Sequence, residues 1–126
     1  MIDCMSYDIS LNNPVSHEVI MIESPHFMQG GTYQLGGTQE LWLNITYNYA
    51  KYYYEVYPES GIREIYGKSG ADSIPILENL ISKIEKNHGK ATDKDYWKAT
   101  PGNAIAPLYQ LIAMAKMRPD GIWDGD

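Results

Sequence analysis

Six tyrosines crowd into eleven residues: Tyr47, Tyr49, Tyr52, Tyr53, Tyr54 and Tyr57. A tyrosine ring is rigid, apolar on its faces and polar at its tip, which suits interfaces and stacking on flat ligands as well as a core. All six cannot face one core. Roughly half are expected to pack inside, with the outward ones lining a subunit interface or a ligand wall. At the head of the run stands Asn44-Ile45-Thr46-Tyr47-Asn48. On a strand, Asn44 and Thr46 share one face and Ile45 turns to the core. Asparagine offers donors and acceptors together, as base edges and ribose hydroxyls require. Capping and turn formation would use the same groups. There are two arginines against eight lysines. Arg63 lies in Gly-Ile-Arg-Glu-Ile-Tyr, ahead of Tyr66, and Arg118 in Lys-Met-Arg-Pro-Asp-Gly. A planar guanidinium fork matches phosphate or carboxylate. The plainer use is an ion pair with Glu64 or Asp120, or for Arg118 a helix C-terminus.

Other groups carry weaker chemistry. Gly30-Gly31-Thr32 is echoed by Gly36-Gly37-Thr38. Paired glycines let a backbone approach a ligand, and exposed amides with Thr hydroxyls hold anions. The pattern is not a P-loop, because no Gly-Lys-Thr follows a strand; a mobile connection is the alternative. His17, Glu18, Glu23 and His26 would meet on a suitable hairpin, but their spacing matches no metal-ligand signature. Asp120, Asp124 and Asp126 lack the pattern of a calcium loop and read as a solvated tail. Cys4 has no local His signature. Tyr96, Trp97 and Asn103 flank Pro101-Gly102, where they would cover a pocket or cap the core.

The elements that must position these groups follow from periodicity. Residues 6–23 read as strands: Tyr7, Ile9 and Leu11 alternate with polar residues, Asn12-Asn13-Pro14 is turn chemistry, and Val19 to Glu23 is a second apolar run, together a hairpin. Residues 25–38 read as a loop. Leu41, Leu43 and Ile45 alternate as a third strand. At Thr46, a plausible N-cap, Tyr49, Tyr52, Tyr53 and Val56 switch to helical spacing, ended by Pro58 and Gly61. A wholly helical 39–57 competes, since Leu41, Ile45, Tyr49, Tyr52 and Val56 also fit one face. Ile62 to Gly67 reads as a short helical turn. Asp72 or Ser73 caps the next helix with Pro75 in its first turn; Leu77, Leu80, Ile81 and Ile84 form its stripe and His88-Gly89 closes it. Residues 87–95 read as a polar connector. Ile105, Leu108, Leu111, Ile112 and Ala115 mark a last helix, ending before Pro119. Pro107 means that it begins near Asn103 or is kinked. The expected fold is α+β, a small N-terminal antiparallel sheet packed on C-terminal helices. It is one domain over 1–126, with 1–46 mainly strands and Gly-rich loop and 47–126 mainly helices.

Composition bounds the partners. The 126 residues carry sixteen acids against ten bases, a formal charge of −6. That balance repels a nucleic-acid backbone, and the acids are too dispersed for a dense phosphate mimic. No apolar run approaches the ~18 residues of a membrane span, and the N-terminus lacks a signal pattern. A single cysteine fits a reducing cytoplasm. The expectation is a cytoplasmic chain with no nucleic-acid or membrane partner and no cofactor or metal.

Several stretches resemble a family of small, largely uncharacterised phage and prophage proteins: Gly-Gly-Thr-Tyr, Leu-Asn-Ile-Thr-Tyr-Asn-Tyr, Ile-Tyr-Gly-Lys-Ser-Gly-Ala-Asp-Ser-Ile-Pro, Asp-Tyr-Trp-Lys-Ala-Thr-Pro-Gly-Asn-Ala and Ala-Lys-Met-Arg-Pro-Asp-Gly-Ile-Trp-Asp-Gly-Asp. That resemblance covers most of the chain and implies origin, not activity. A second phage group is similar over less of it. Its members carry Asn-Ile-Thr-His-Asn after a strand pair, then helices and a Phe/Trp–Asn–Pro/Gly connector. Asn44, Thr46 and Asn48 match its motif, with Tyr47 in place of its His; Tyr96, Trp97 and Asn103 match its connector. The layout resembles Thoeris anti-defence sponges, which bind a cyclic ADP-ribose or cyclic-nucleotide immune signal without cleaving it. The resemblance implies a non-enzymatic, phage-encoded sponge acting in the host cytoplasm. It would be a homo-oligomer with a pocket at or near the subunit interface. Tyr and Trp would stack on the base, Arg63 and Arg118 would pair phosphates, and Gly30, Gly31 and Thr32 would approach the ligand. The rivals are a protein that blocks a host defence complex through its Tyr surface, and a small nucleotide-acting enzyme using His26 or His17.

Overall fold

The computed structural model describes residues 6–27 and 37–126. Strands β1 (Ser6–Asn12), β2 (Met21–His26), β3 (Thr38–Glu40) and β4 (Trp42–Thr46) lead into a 3-10 turn, Tyr47–Tyr49, and helix α1 (Ala50–Val56). A second 3-10 turn, Gly61–Ile65, precedes helices α2 (Gly70–His88) and α3 (Pro101–Met117), and strand β5 (Ile122–Gly125) follows. The protein is α+β, as its strand-then-helix order implies.

Alternation along β1 buries Tyr7, Ile9 and Leu11 and leaves Asp8 exposed. In the three-stranded antiparallel sheet β1 is central, between β4 and β5. Tyr7 lies opposite Ile45, Asp8 opposite Asn44 and Leu11 opposite Trp123. Leu43 and Ile45 on β4, with Leu41 ahead of it, are buried on the same core, so 42–46 is strand and a wholly helical 39–57 is excluded. Against this face pack Leu77, Leu80, Ile81 and Ile84 of α2 and Ile105, Leu108, Leu111, Ile112 and Ala115 of α3. Both stripes are those that 3.6-residue spacing marks in the sequence.

Four sequence expectations need correction. First, the expected hairpin of 6–23 is reduced to one bridge, Asn12 to Val19. The turn forms as its residues dictate, with Asn13 Oδ1 accepting from the amides of Val15 and Ser16. But β2 pairs with β3 in a separate two-stranded sheet, because β4 and β5 already occupy both edges of β1. Residues 25, 26 and 38 of the expected loop are therefore strand, and residues 28–36 lie outside the described residues.

Second, α2 starts earlier than Asp72 or Ser73. Its cap is Ser69, whose hydroxyl accepts from Asp72 N at 3.0 Å, and Pro75 lies inside the helix. The amides of Gly70 and Ala71 are satisfied by the carbonyls of Gly121 and Pro119, at 2.8 and 3.0 Å. A distant segment thus supplies the acceptors that an N-terminus usually draws from its own cap. Gly70 is required there, since a Cβ would sit 2.7 Å from the carbonyl oxygen of Arg118. Gly70→Ala should therefore destabilise the fold by about 1–2 kcal/mol, the clash outweighing the helix propensity gained, measured by urea denaturation.

Third, α3 begins at Pro101 rather than near Asn103, capped by the Thr100 hydroxyl. Fourth, the acidic end is a strand rather than a tail: β5 pairs with β1 and buries Trp123, while Asp120, Asp124 and Asp126 stay exposed as expected.

Candidate functional site

Arg63 and a set of tyrosine hydroxyls form the most unusual polar cluster of the fold. Thr46 is fully buried and its hydroxyl accepts from Asn48 N, which fixes the Tyr47–Tyr49 turn. The turn sends neighbouring side chains in two directions. Tyr47 goes to Arg63, whose Nη2 donates to its hydroxyl at 3.3 Å. Arg63 Nη1 donates to the Tyr54 hydroxyl at 3.1 Å, and Nε to the main-chain oxygen of Asp126 at 2.7 Å. The guanidinium lies 4.8 Å from the centre of the Tyr7 ring and 5.9 Å from that of Tyr47, cation–π geometry, while those two rings meet edge to face at 4.5 Å. Tyr66 completes the set, donating to the Asp126 oxygen at 3.3 Å. Its hydroxyl crosses Gly125 where any Cβ would stand.

Tyr7, Tyr47, Ala50, Tyr54 and Arg63 line an open groove of about 240 Å³. Among the described residues, no carboxylate side chain lies within 4.0 Å of the Arg63 guanidinium. Three of the fork's five N–H groups donate within the protein, two to phenol oxygens and one to the main-chain oxygen of Asp126. Arg118 differs. Its Nε and Nη2 donate to both oxygens of Asp120, at 2.9 and 2.8 Å, a closed fork that holds the Asp120 carboxyl below its ordinary range.

Burial pushes the Tyr7 hydroxyl up to about 12, with the neighbouring Tyr54 adding to the shift. Burial likewise raises Tyr49 to about 12 and lifts Tyr53 and Tyr66 well above the usual phenol. A folded pKa above the unfolded one means that the native state holds its protons longer, so stability is full below pH ~10 and falls as pH rises through ~12. Urea denaturation at pH 8, 10 and 11 should show that fall, with tyrosinate absorbance rising alongside unfolding.

The remaining candidate residues gather elsewhere. Asn48 Nδ2 donates to the carbonyl of Trp97 at 2.7 Å. The Tyr49 hydroxyl donates to the Tyr96 carbonyl, Tyr52 to Ala99 at 3.0 Å and Tyr53 to Ala104 at 2.7 Å. Asn103 Nδ2 donates to the carbonyls of Asp95 and Lys98, and its Oδ1 accepts from Asp93 N. These side chains tie the connector between α2 and α3 to α1. Above them the Tyr96 and Trp97 rings lie 5.3 Å apart, with Trp97 43% exposed. Asn44 stands on the other face of the sheet, its Nδ2 donating to Ser6 Oγ and Asp8 Oδ1 at 2.8 and 2.7 Å.

The candidate residues thus fall in four places rather than one pocket: Arg63 with Tyr66; Thr46, Asn48, Tyr96, Trp97 and Asn103; Asn44 with Ser6 and Asp8 on the other sheet face; and Arg118 on Asp120. Gly30, Gly31 and Thr32 lie outside the described residues. Sequence reasoning missed Tyr7, which reads as a core strand residue, and did not single out Tyr54 within its run. His26 is buried, its Nε2 2.6 Å from the Glu40 carbonyl, and His17 occupies the β1–β2 turn at φ 65°. Among the described residues no three His, Cys, Asp or Glu side chains are grouped to hold a metal, and no helix is long and apolar enough to cross a membrane. Set against family models, curated proteins and solved structures, the chain matches none.

Proposed function

We propose that this chain is a phage-encoded anti-defence protein that binds and sequesters a nucleotide-derived immune signal, a cyclic ADP-ribose or cyclic oligonucleotide, without cleaving it. The observation that carries the reading is Arg63: a guanidinium without a carboxylate side chain beside it, framed by tyrosine rings at the rim of a groove. A phosphate would accept from the Arg63 Nη atoms, and a base would lie on an adjacent ring. At about 240 Å³ the groove takes one phosphate with part of its sugar or base, and the rest of the ligand lies across its mouth. With a net charge of −6, attraction of an anion has to be local, and the Arg63 guanidinium at the groove provides it.

Binding without turnover fits the groups present. A guanidinium and a phenol held near 12 keep their protons at neutral pH, so they hold a phosphate rather than shuttle protons. A homo-oligomer in the host cytoplasm belongs to the same reading. A direct block of a host complex by the Tyr surface draws less support, because Tyr49, Tyr52 and Tyr53 are buried with their hydroxyls on main-chain carbonyls.

The test is retention. The purified protein is incubated with cyclic ADP-ribose isomers and cyclic di- and trinucleotides, desalted, heated, and the supernatant chromatographed. Intact ligand released by heat supports sequestration. Altered ligand points to an enzyme, and no retained ligand sinks the reading and makes a pull-down for a host protein the next step.

A further inference from the structure

Helix α3 is apolar nearly all round. Of its seventeen residues, only Lys116 is charged. Its inner face is used by the core, yet its outer face presents Ala106, Tyr109, Gln110, Ala113 and Met117 beside Lys116, with Tyr109 55% and Met117 48% exposed. A surface helix of a lone domain usually carries several charges on that side, and here Lys116 is the single one, beside two exposed large apolar side chains. Beside it, Ile81 and Ile112 floor a shallow groove between α2 and α3, about 300 Å³, whose walls are Glu78, Ser82, Glu85, Tyr109 and Lys116.

The charges of this groove say what covers it. The two helices run antiparallel, since Ala71 at the start of α2 bonds to Pro119 just past α3, and Gly102 at the start of α3 bonds to Ala91 just past α2. Glu78 therefore shares one end with Lys116, and Glu85 the other with Tyr109. Each pair of ends is seven residues apart, roughly 10 Å along the helix. A twofold axis through the middle exchanges the ends. It sets the Lys116 ammonium of each copy beside the Glu85 of the other, and each Tyr109 beside the Glu78 of the other. The surface is complementary to itself, as an isologous interface demands.

We propose that the outer face of α3 with the α2–α3 groove is a homodimer interface, closed by two Lys116–Glu85 ion pairs across a twofold axis. The surface uses no residue of the Arg63 groove, so it stands or falls independently of the ligand. The pocket is then away from the dimer axis, not at the subunit interface that the resemblance implies.

Sedimentation velocity of the full chain tests this. The wild type should sediment at twice the chain mass. Lys116→Glu and Glu85→Lys, both at surface positions, should each weaken dimerisation at least tenfold, because each places like charges across the axis. The double variant restores opposite charges and should recover the dimer. Far-UV circular dichroism should be unchanged in all three. A wild-type monomer at ~100 µM overturns the proposal and leaves the face to a different protein partner. A dimer indifferent to either single variant, or not restored by the double one, overturns it equally.

Discussion

Trp123→Ala should be among the most damaging single substitutions in the chain, lowering unfolding free energy by about 3–5 kcal/mol. Three losses combine. The indole is 1% exposed, so removing it leaves a large cavity between β5 and the start of α2. Its Nε1 donates to Ser73 Oγ at 2.7 Å, and that buried hydroxyl in turn donates to the Gly70 carbonyl. Its main chain links the strand to Lys68 and Gly67 at 3.0 and 2.9 Å, bonds that depend on β5 staying seated. Trp123→Phe keeps most of the volume and loses the Ser73 bond, so it should lose about 1–2 kcal/mol. Urea titrations of the two variants separate the cavity from the hydrogen bond. Typical domains hold only 5–15 kcal/mol in total, so the alanine variant should be partly unfolded at 37 °C.

That prediction concerns the part of the fold least legible in the sequence. Ile122-Trp123 lies between Pro119-Asp120-Gly121 and Asp124-Gly125-Asp126, so two apolar residues sit among turn formers and acids and show no period. Only β1, a distant partner, makes them a strand. The start of α2 was hidden for the same reason, its first amides being met by carbonyls some fifty residues away. Val19 to Glu23 was read as a strand, but the extension of β2 through Ser24, Pro25 and His26 was not, because that stretch does not alternate and carries a proline. By contrast β1 and the stripes of both long helices were readable from spacing alone, because each buries one continuous face on the same core. The spacing of β4 also fitted a helix, and its pairing with β1 decides for a strand. The candidate site divides the same way. The tyrosine run marked the region, with half its rings buried as expected. Yet tertiary geometry alone shows that Tyr7 from the sheet and Tyr66 from the second turn join Arg63, and that the two arginines differ in kind.

That difference gives the second large effect. Arg63→Ala should weaken retention of an anionic nucleotide by about 1.5–3 kcal/mol, the range for hydrogen bonds to charged groups, or roughly 10- to 150-fold in affinity. Arg63→Lys keeps the charge but not the fork, so its loss should be smaller. Arg118→Ala removes the same unit of charge from a guanidinium already closed by Asp120, and should leave retention unchanged. The comparison therefore separates a local contact from the overall electrostatic balance of an acidic protein. Because Arg63 also holds the Asp126 oxygen, melting temperatures of the variants belong beside the binding data.

The most direct measurement is heat release of ligand from wild type, Arg63→Ala and Arg118→Ala, incubated side by side with cyclic ADP-ribose isomers and cyclic oligonucleotides. Wild type and Arg118→Ala should each release one intact ligand, and folded Arg63→Ala little or none. Equal release from Arg63→Ala, or chemically altered ligand from the wild type, would contradict sequestration at the Arg63 groove.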